Sequence, residues 1–142
     1  SPKWETSEMR TYLNGDWLNA QTTLSQHTVK TTINTRSTYN GTEFTATQDK
    51  VFLLSEADVY GTQNGSTAQA KDYTLGTEGV ILPSNMRTAT WNGTNYGYWL
   101  RSPCVTSIGL AGVYSNGSFY FPAYYDTGRA CVRPALWVNL AG

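Results

Sequence analysis

Val113-Tyr114-Ser115-Asn116-Gly117-Ser118-Phe119-Tyr120-Phe121 decides the fold class. Apolar and aromatic runs flank Asn116-Gly117, and that arrangement predicts a β-hairpin. Its register has two solutions. A two-residue Asn116-Gly117 turn puts Tyr114 and Phe119 on one face, with Val113 and Tyr120 on the other. An odd-length loop or a bulge instead lets Val113 and Phe119 share a face. Outward from the hairpin, Tyr96 to Leu100 reads as a strand that runs into Arg101-Ser102-Pro103. Val132 to Leu140 reads as a final strand. Pro134 interrupts it, which suggests an edge position or a strand start.

The N-terminal half has a different rhythm. Thr6 or Ser7 is placed to cap a helix carrying Met9, Tyr12 and Leu13 at helical spacing, as its expected buried face. Asn14-Gly15 is the expected stop, with Gly15 as a left-handed C-terminal residue. A second short helix is expected near Thr22 or Thr23. Thr28 to Thr38 is dense in Thr and reads as a strand. Tyr39-Asn40-Gly41-Thr42 is a turn, and Phe44 to Thr47 is the expected return strand. Val51-Phe52-Leu53-Leu54 reads as a buried strand, and Ser55 as the cap of a helical turn from Glu56 to Tyr60. Residues 61–79 read as a long polar loop. Helices early and short strands late make an α+β pattern, not a βαβ alternation.

At 142 residues the chain suits a single domain, 1–142. A chain of this size buries about 68% of its unfolded surface. Ten basic and ten acidic residues give zero net charge, and charged residues are only 14%. That balance argues against a nucleic-acid partner, which needs a basic face. Five Trp, ten Tyr and four Phe support collapse and argue against disorder. No run approaches the length of a membrane-spanning helix, so no membrane insertion is expected. Ser1-Pro2-Lys3-Trp4 is not a signal peptide. With 21 Thr, 11 Ser, 10 Asn and 13 Gly, the composition suits a surface-displayed domain. The expected location is extracellular or on a cell or virion surface, within a larger protein or after leader removal.

Constellations for chemistry are sparse. His27 is the single histidine, and it lies in a polar, Thr-rich segment. Neither a nucleophile elbow nor a phosphate-binding loop is present. The carboxylates are scattered, with no acidic run suited to calcium. Cys104 and Cys131 lack zinc-site spacing; they are either one disulfide or two thiols. No catalytic residue, metal or cofactor is therefore expected. Asn-Gly recurs five times, and four of the five complete an N-x-[ST] pattern. Tight turns explain the repetition better than glycosylation does. Segment 104–131 is unusual. Cys104, Val105, Ile108, Leu110, Tyr114, Tyr120, Phe121, Tyr124, Tyr125 and Asp126 sit among Ser, Gly and Thr. Binding surfaces favour this mix, because Tyr supplies rigid contact area and small polar residues adapt. These ten are the expected ligand contacts.

The motifs on either side carry a resemblance. Trp99-Leu100-Arg101-Ser102-Pro103, a varied stretch, then Val132-Arg133-Pro134-Ala135-Leu136-Trp137 resembles a "WLRSP…GVRPALW" signature. It occurs in bacterial domains of unknown function, often from gut bacteria and their phages. Trp4 to Arg10 with Tyr12-Leu13-Asn14, and Asp49 to Ser55, match further family segments in order. The resemblance implies a C-type-lectin-like fold, related to formylglycine-generating enzymes, with two short N-terminal helices and a small, mainly antiparallel sheet. Some members look like variable proteins of diversity-generating retroelements. In that case 104–131 is the variable segment, and Cys131 stands where the family more often has Gly.

The resemblance also implies that Trp99, Leu100 and Trp137 are core, with Arg101 and Arg133 held by carbonyls or carboxylates as scaffold. It favours the register with Val113 and Phe119 inward and Tyr114 and Tyr120 outward. The expected function is a non-enzymatic display domain that binds a protein or glycan. The alternatives are a formylglycine-generating-enzyme-like copper enzyme built on Cys104 and Cys131, or a purely structural module.

Overall fold

Ser7 starts the N-terminal helix, its Oγ accepting from the Arg10 amide at 3.1 Å. In the computed structural model, residues 3–63, 72, 81–104, 109–120 and 130–141 are described. Helix α1 (Glu8–Tyr12) does not stop at Asn14-Gly15. It runs on through a π-helical stretch, Leu13–Trp17, into α2 (Leu18–Ala20). Asn14 has another use. Its Oδ1 accepts from the Lys50 and Val51 amides, and its Nδ2 donates to the Val51 carbonyl at 2.7 Å. The side chain thus acts as a piece of backbone, pinning the helix to the segment that follows β3. The buried face is Leu13 and Leu18, while Tyr12 is 51% exposed, contrary to expectation. The second helix reduces to a single 3-10 turn, Leu24–Gln26.

The Thr-rich run divides into β1 (Thr28–Val29) and β2 (Thr31–Arg36). Strand β3 (Phe44–Asp49) returns antiparallel along β2, two residues longer than expected. Residues 51–54 are buried as expected, yet they join no ladder. Their one pairing is an isolated bridge from Phe52 to Ala135. Helix α3 (Glu56–Tyr60) opens on a capping box: Ser55 accepts from the Asp58 amide while Asp58 accepts from the Ser55 amide.

The main sheet contains β4 (Ala89–Trp91), β5 (Thr94–Pro103), β6 (Leu110–Val113) and β7 (Phe119–Tyr120), in that order. A short strand β8 (Ala130–Cys131) lies parallel to β5. Strand β9 (Trp137–Val138) pairs with β1. The expected continuous strand 132–140 is therefore broken. Pro134 has no amide proton for a ladder, and Ala135 turns to Phe52 instead.

Hairpin β6–β7 takes the odd-loop register, with Val113 opposite Phe119 and Gly112 opposite Tyr120. The Gly117 amide reaches the Tyr114 carbonyl and the Tyr114 amide the Ser118 carbonyl. Gly117, at φ 89°, fills the left-handed place that such a three-residue loop requires. Along β5, Tyr98 pairs with Val113, Ser102 accepts from the Glu56 amide of α3, and Arg101 reaches both Thr35 on β2 and Asp58 on α3. The fold class is α+β, with small and mainly antiparallel sheets, as expected.

Candidate binding site

Segment 104–131 is framed by two anchors. The first is Arg101, whose side chain is fully buried together with that of Asp58. Its Nε donates to Thr35 Oγ1 at 3.0 Å. Its Nη1 donates to the Leu53 carbonyl at 2.8 Å and to Asp58 Oδ2 at 3.2 Å. Its Nη2 donates to the carbonyls of Asn34 (3.0 Å) and Asp72 (2.8 Å). One guanidinium therefore ties β2, α3 and the segment around Asp72 to β5. Burying that charge is tolerable because its hydrogen bonds are made and a carboxylate balances it. Ser102 adds a bond from the Glu56 amide to its Oγ at 2.9 Å. Burial pushes the Asp72 carboxyl above the ordinary range, although Arg101 and Arg36 pull it the other way.

The second anchor corrects an expectation. Among the described residues, what holds Arg133 is a tyrosine and not a carbonyl or carboxylate. It lies over the Tyr98 ring, 5.1 Å from the centroid, and donates to Tyr98 Oη at 2.8 Å. Tyr98 Oη donates in turn to the Arg87 carbonyl at 2.7 Å. Arg87 covers the Tyr60 ring at 5.0 Å, and Tyr60 Oη donates to the Gly117 carbonyl at 2.7 Å. Tyr60 also meets Phe119 edge-on, with centroids 5.5 Å apart. Burial pushes both the Tyr60 and the Tyr98 phenols above the ordinary range. This chain runs from the second motif to the hairpin turn and fixes the hairpin's attitude. Trp137 takes no part in the buried core, being 40% exposed on β9. Trp99 is half-buried, and Leu100 is fully buried.

The expected contact residues separate. Tyr114 is 49% exposed at the hairpin turn. Leu110 is half-buried on β6, on the face that Gly112 shares with Trp99. Cys104 is 2% exposed and belongs to the core, which contradicts a surface role; the end of β5 carries it inward. Tyr120 has a described backbone on β7, but its side chain, with all of Val105, Ile108, Phe121, Tyr124, Tyr125 and Asp126, lies outside the described residues. Cys131 is exposed, and no disulfide joins it to Cys104. Cys131 is paired with Tyr98, which stands six residues before Cys104. At the usual strand rise that is about 20 Å along β5. Among the described residues no group of three or more His, Cys, Asp or Glu is placed to hold a metal.

Beside this face lies a cavity of about 200 Å³. Trp99, Leu110 and Val132 form its sheet side, and Leu53 and the buried Arg101 line it from the core. Trp4, Ser7 and Met9 close it from the N-terminal segment, with Lys3 at the rim. Composition gave no hint of Trp4, Met9 and Leu53 as site residues, because the N-terminal stretch and Leu53 are far apart in sequence. The one available signal was that Trp4 begins a family motif.

The family model described as Domain of unknown function (DUF6273) matches residues 1–140. No curated protein and no solved structure matches the chain.

Proposed function

We propose that this chain, which belongs to the family Domain of unknown function (DUF6273), is a ligand-binding display domain. Segment 104–131 is its contact surface, and the partner is a protein or a glycan on another cell or virion. The C-type-lectin-like reading of the fold belongs to this proposal, and the α+β architecture with small, mainly antiparallel sheets supports it. Diversification of the segment by a retroelement is also part of this proposal, and it predicts a near-copy of the coding segment differing mainly at adenines.

One observation carries the proposal. The segment is gripped at both ends by interior contacts, through Arg101 on one side and Arg133 with the Ala135 bridge on the other. Between the grips its hairpin turns Tyr114 out to solvent. Such a design lets side chains change without disturbing what holds the frame. Burying each ring at a partner is worth about 1.5–3 kcal/mol.

An alanine scan tests this, using a glycan array and a cell-surface protein display library as probes. Truncating Tyr114, Tyr124 and Tyr125 is expected to abolish the signals that the parent chain gives. Tyr114→Ala is expected to leave stability within about 0.5 kcal/mol, as for other exposed positions. Retained binding after all three truncations contradicts the proposal, as does a parent chain that binds nothing in either panel.

A further inference from the structure

We infer that the cavity between the N-terminal segment and the β5–β6 face binds a small aromatic carboxylate. Its volume of about 200 Å³ is somewhat above the ~150 Å³ at which an apolar protein cavity takes up one benzene molecule. It therefore holds one six-membered ring and a short substituent. Two of its walls are the indoles of Trp4 and Trp99, which suit an offset or edge-on ring. Met9 offers a polarisable sulfur, the usual neighbour of an aromatic edge.

The polar groups of the wall are already engaged. Trp4 Nε1 donates to Asp49 Oδ2 at 2.9 Å. Ser7 Oγ donates to the Trp4 carbonyl and accepts from the Arg10 amide. Arg101 spends its donors on the five acceptors named above. The body of the ligand must then be apolar, since a polar body would lose its water without gaining partners. The rim sets the charge. Lys3 is exposed there, and among the described residues no acidic side chain lines the cavity. A negative tail reaching toward Lys3 is favoured, and a positive one is not. This site is separate from the Tyr114 surface, and its failure leaves the display reading untouched.

The test titrates the full 142-residue chain, labelled with nitrogen-15, with phenylacetate and with its neutral analogue 2-phenylethanol. Saturable shifts are expected at the Trp4 and Trp99 indole N–H signals. Phenylacetate should bind about two- to fivefold more tightly, the range that a solvent-exposed ion pair supports. Lys3→Ala should erase that preference while leaving 2-phenylethanol binding unchanged. Val132→Trp, at a partly exposed wall position, should abolish binding of both probes; should it disturb folding, Met9→Trp serves instead. Equal affinity of the parent chain for the two probes overturns the proposal. So do shifts confined to other tryptophans, a Lys3→Ala variant that keeps the preference, or no saturable shift at all.

Discussion

Arg101 shows how a single side chain organises the interior. Four of its five hydrogen bonds, the ion pair with Asp58 among them, are buried, and the fifth, to the Asn34 carbonyl, is partly buried. Replacing it by Met leaves Asp58 buried without its counter-charge and several carbonyls without donors. The expected loss is about 3–5 kcal/mol in urea denaturation. A loss below about 1 kcal/mol contradicts the anchoring role, since that is what an exposed pair is worth. Asp72 carries the opposite kind of strain. Burial raises its folded pKa above the unfolded value of 3.8, so the folded state holds the proton more tightly. Its contribution is fully present below the unfolded value and is lost as pH rises through the higher folded one. Asp72→Asn should therefore gain stability relative to the parent as pH rises above about 4. Parallel melting curves across that range check the sign.

At the scale of elements, β5 and its neighbours carry the argument. A Cβ added at Gly97 would sit 2.8 Å from the Val113 carbonyl oxygen, a backbone atom with little room to retreat. Gly97→Ala should cost about 1–3 kcal/mol and loosen the hairpin against β5. Thermal denaturation measures the first effect, and amide exchange at Val113 the second.

Local chemistry made several elements legible in the sequence. The Ser55 cap and the β2–β3 pair around Asn40-Gly41 depend on neighbours within a few residues, whereas the hairpin register was chosen by the family resemblance and not by local chemistry. The failures have a common cause in distant partners. Asn14-Gly15 has the form of a helix stop, but the partners of the Asn14 amide lie at Lys50 and Val51. Residues 132–140 have strand composition, but Phe52 captures Ala135 and divides them. Cys104 belongs by composition to an exposed segment, but the direction of β5 buries it.

At the scale of the molecule, zero net charge and the Tyr-rich composition take on a location. The framing residues use their charges internally: Arg101 on Asp58 and carbonyls, Arg133 on an aromatic ring. Segment 104–131 carries one acid and one base, Asp126 and Arg129, among apolar, aromatic and small polar residues. The resemblance implied that carbonyls or carboxylates hold Arg101, and Leu53, Asn34, Asp72 and Asp58 do so. Its assignment of Trp137 to the core does not hold, because the pairing of β9 with β1 leaves that ring partly in water. Apart from the motif position of Trp4 no sequence signal marked the cavity, whose walls meet only when distant segments pack together.

The central claim is that binding specificity resides in 104–131 and not in the frame that holds it. The most direct measurement exchanges this segment between the chain and a second family member, and compares glycan-array and surface-protein binding of both parents and both chimeras. The account predicts that each chimera binds as the donor of its segment does, with the melting temperature of its frame. Profiles that stay with the frame contradict it.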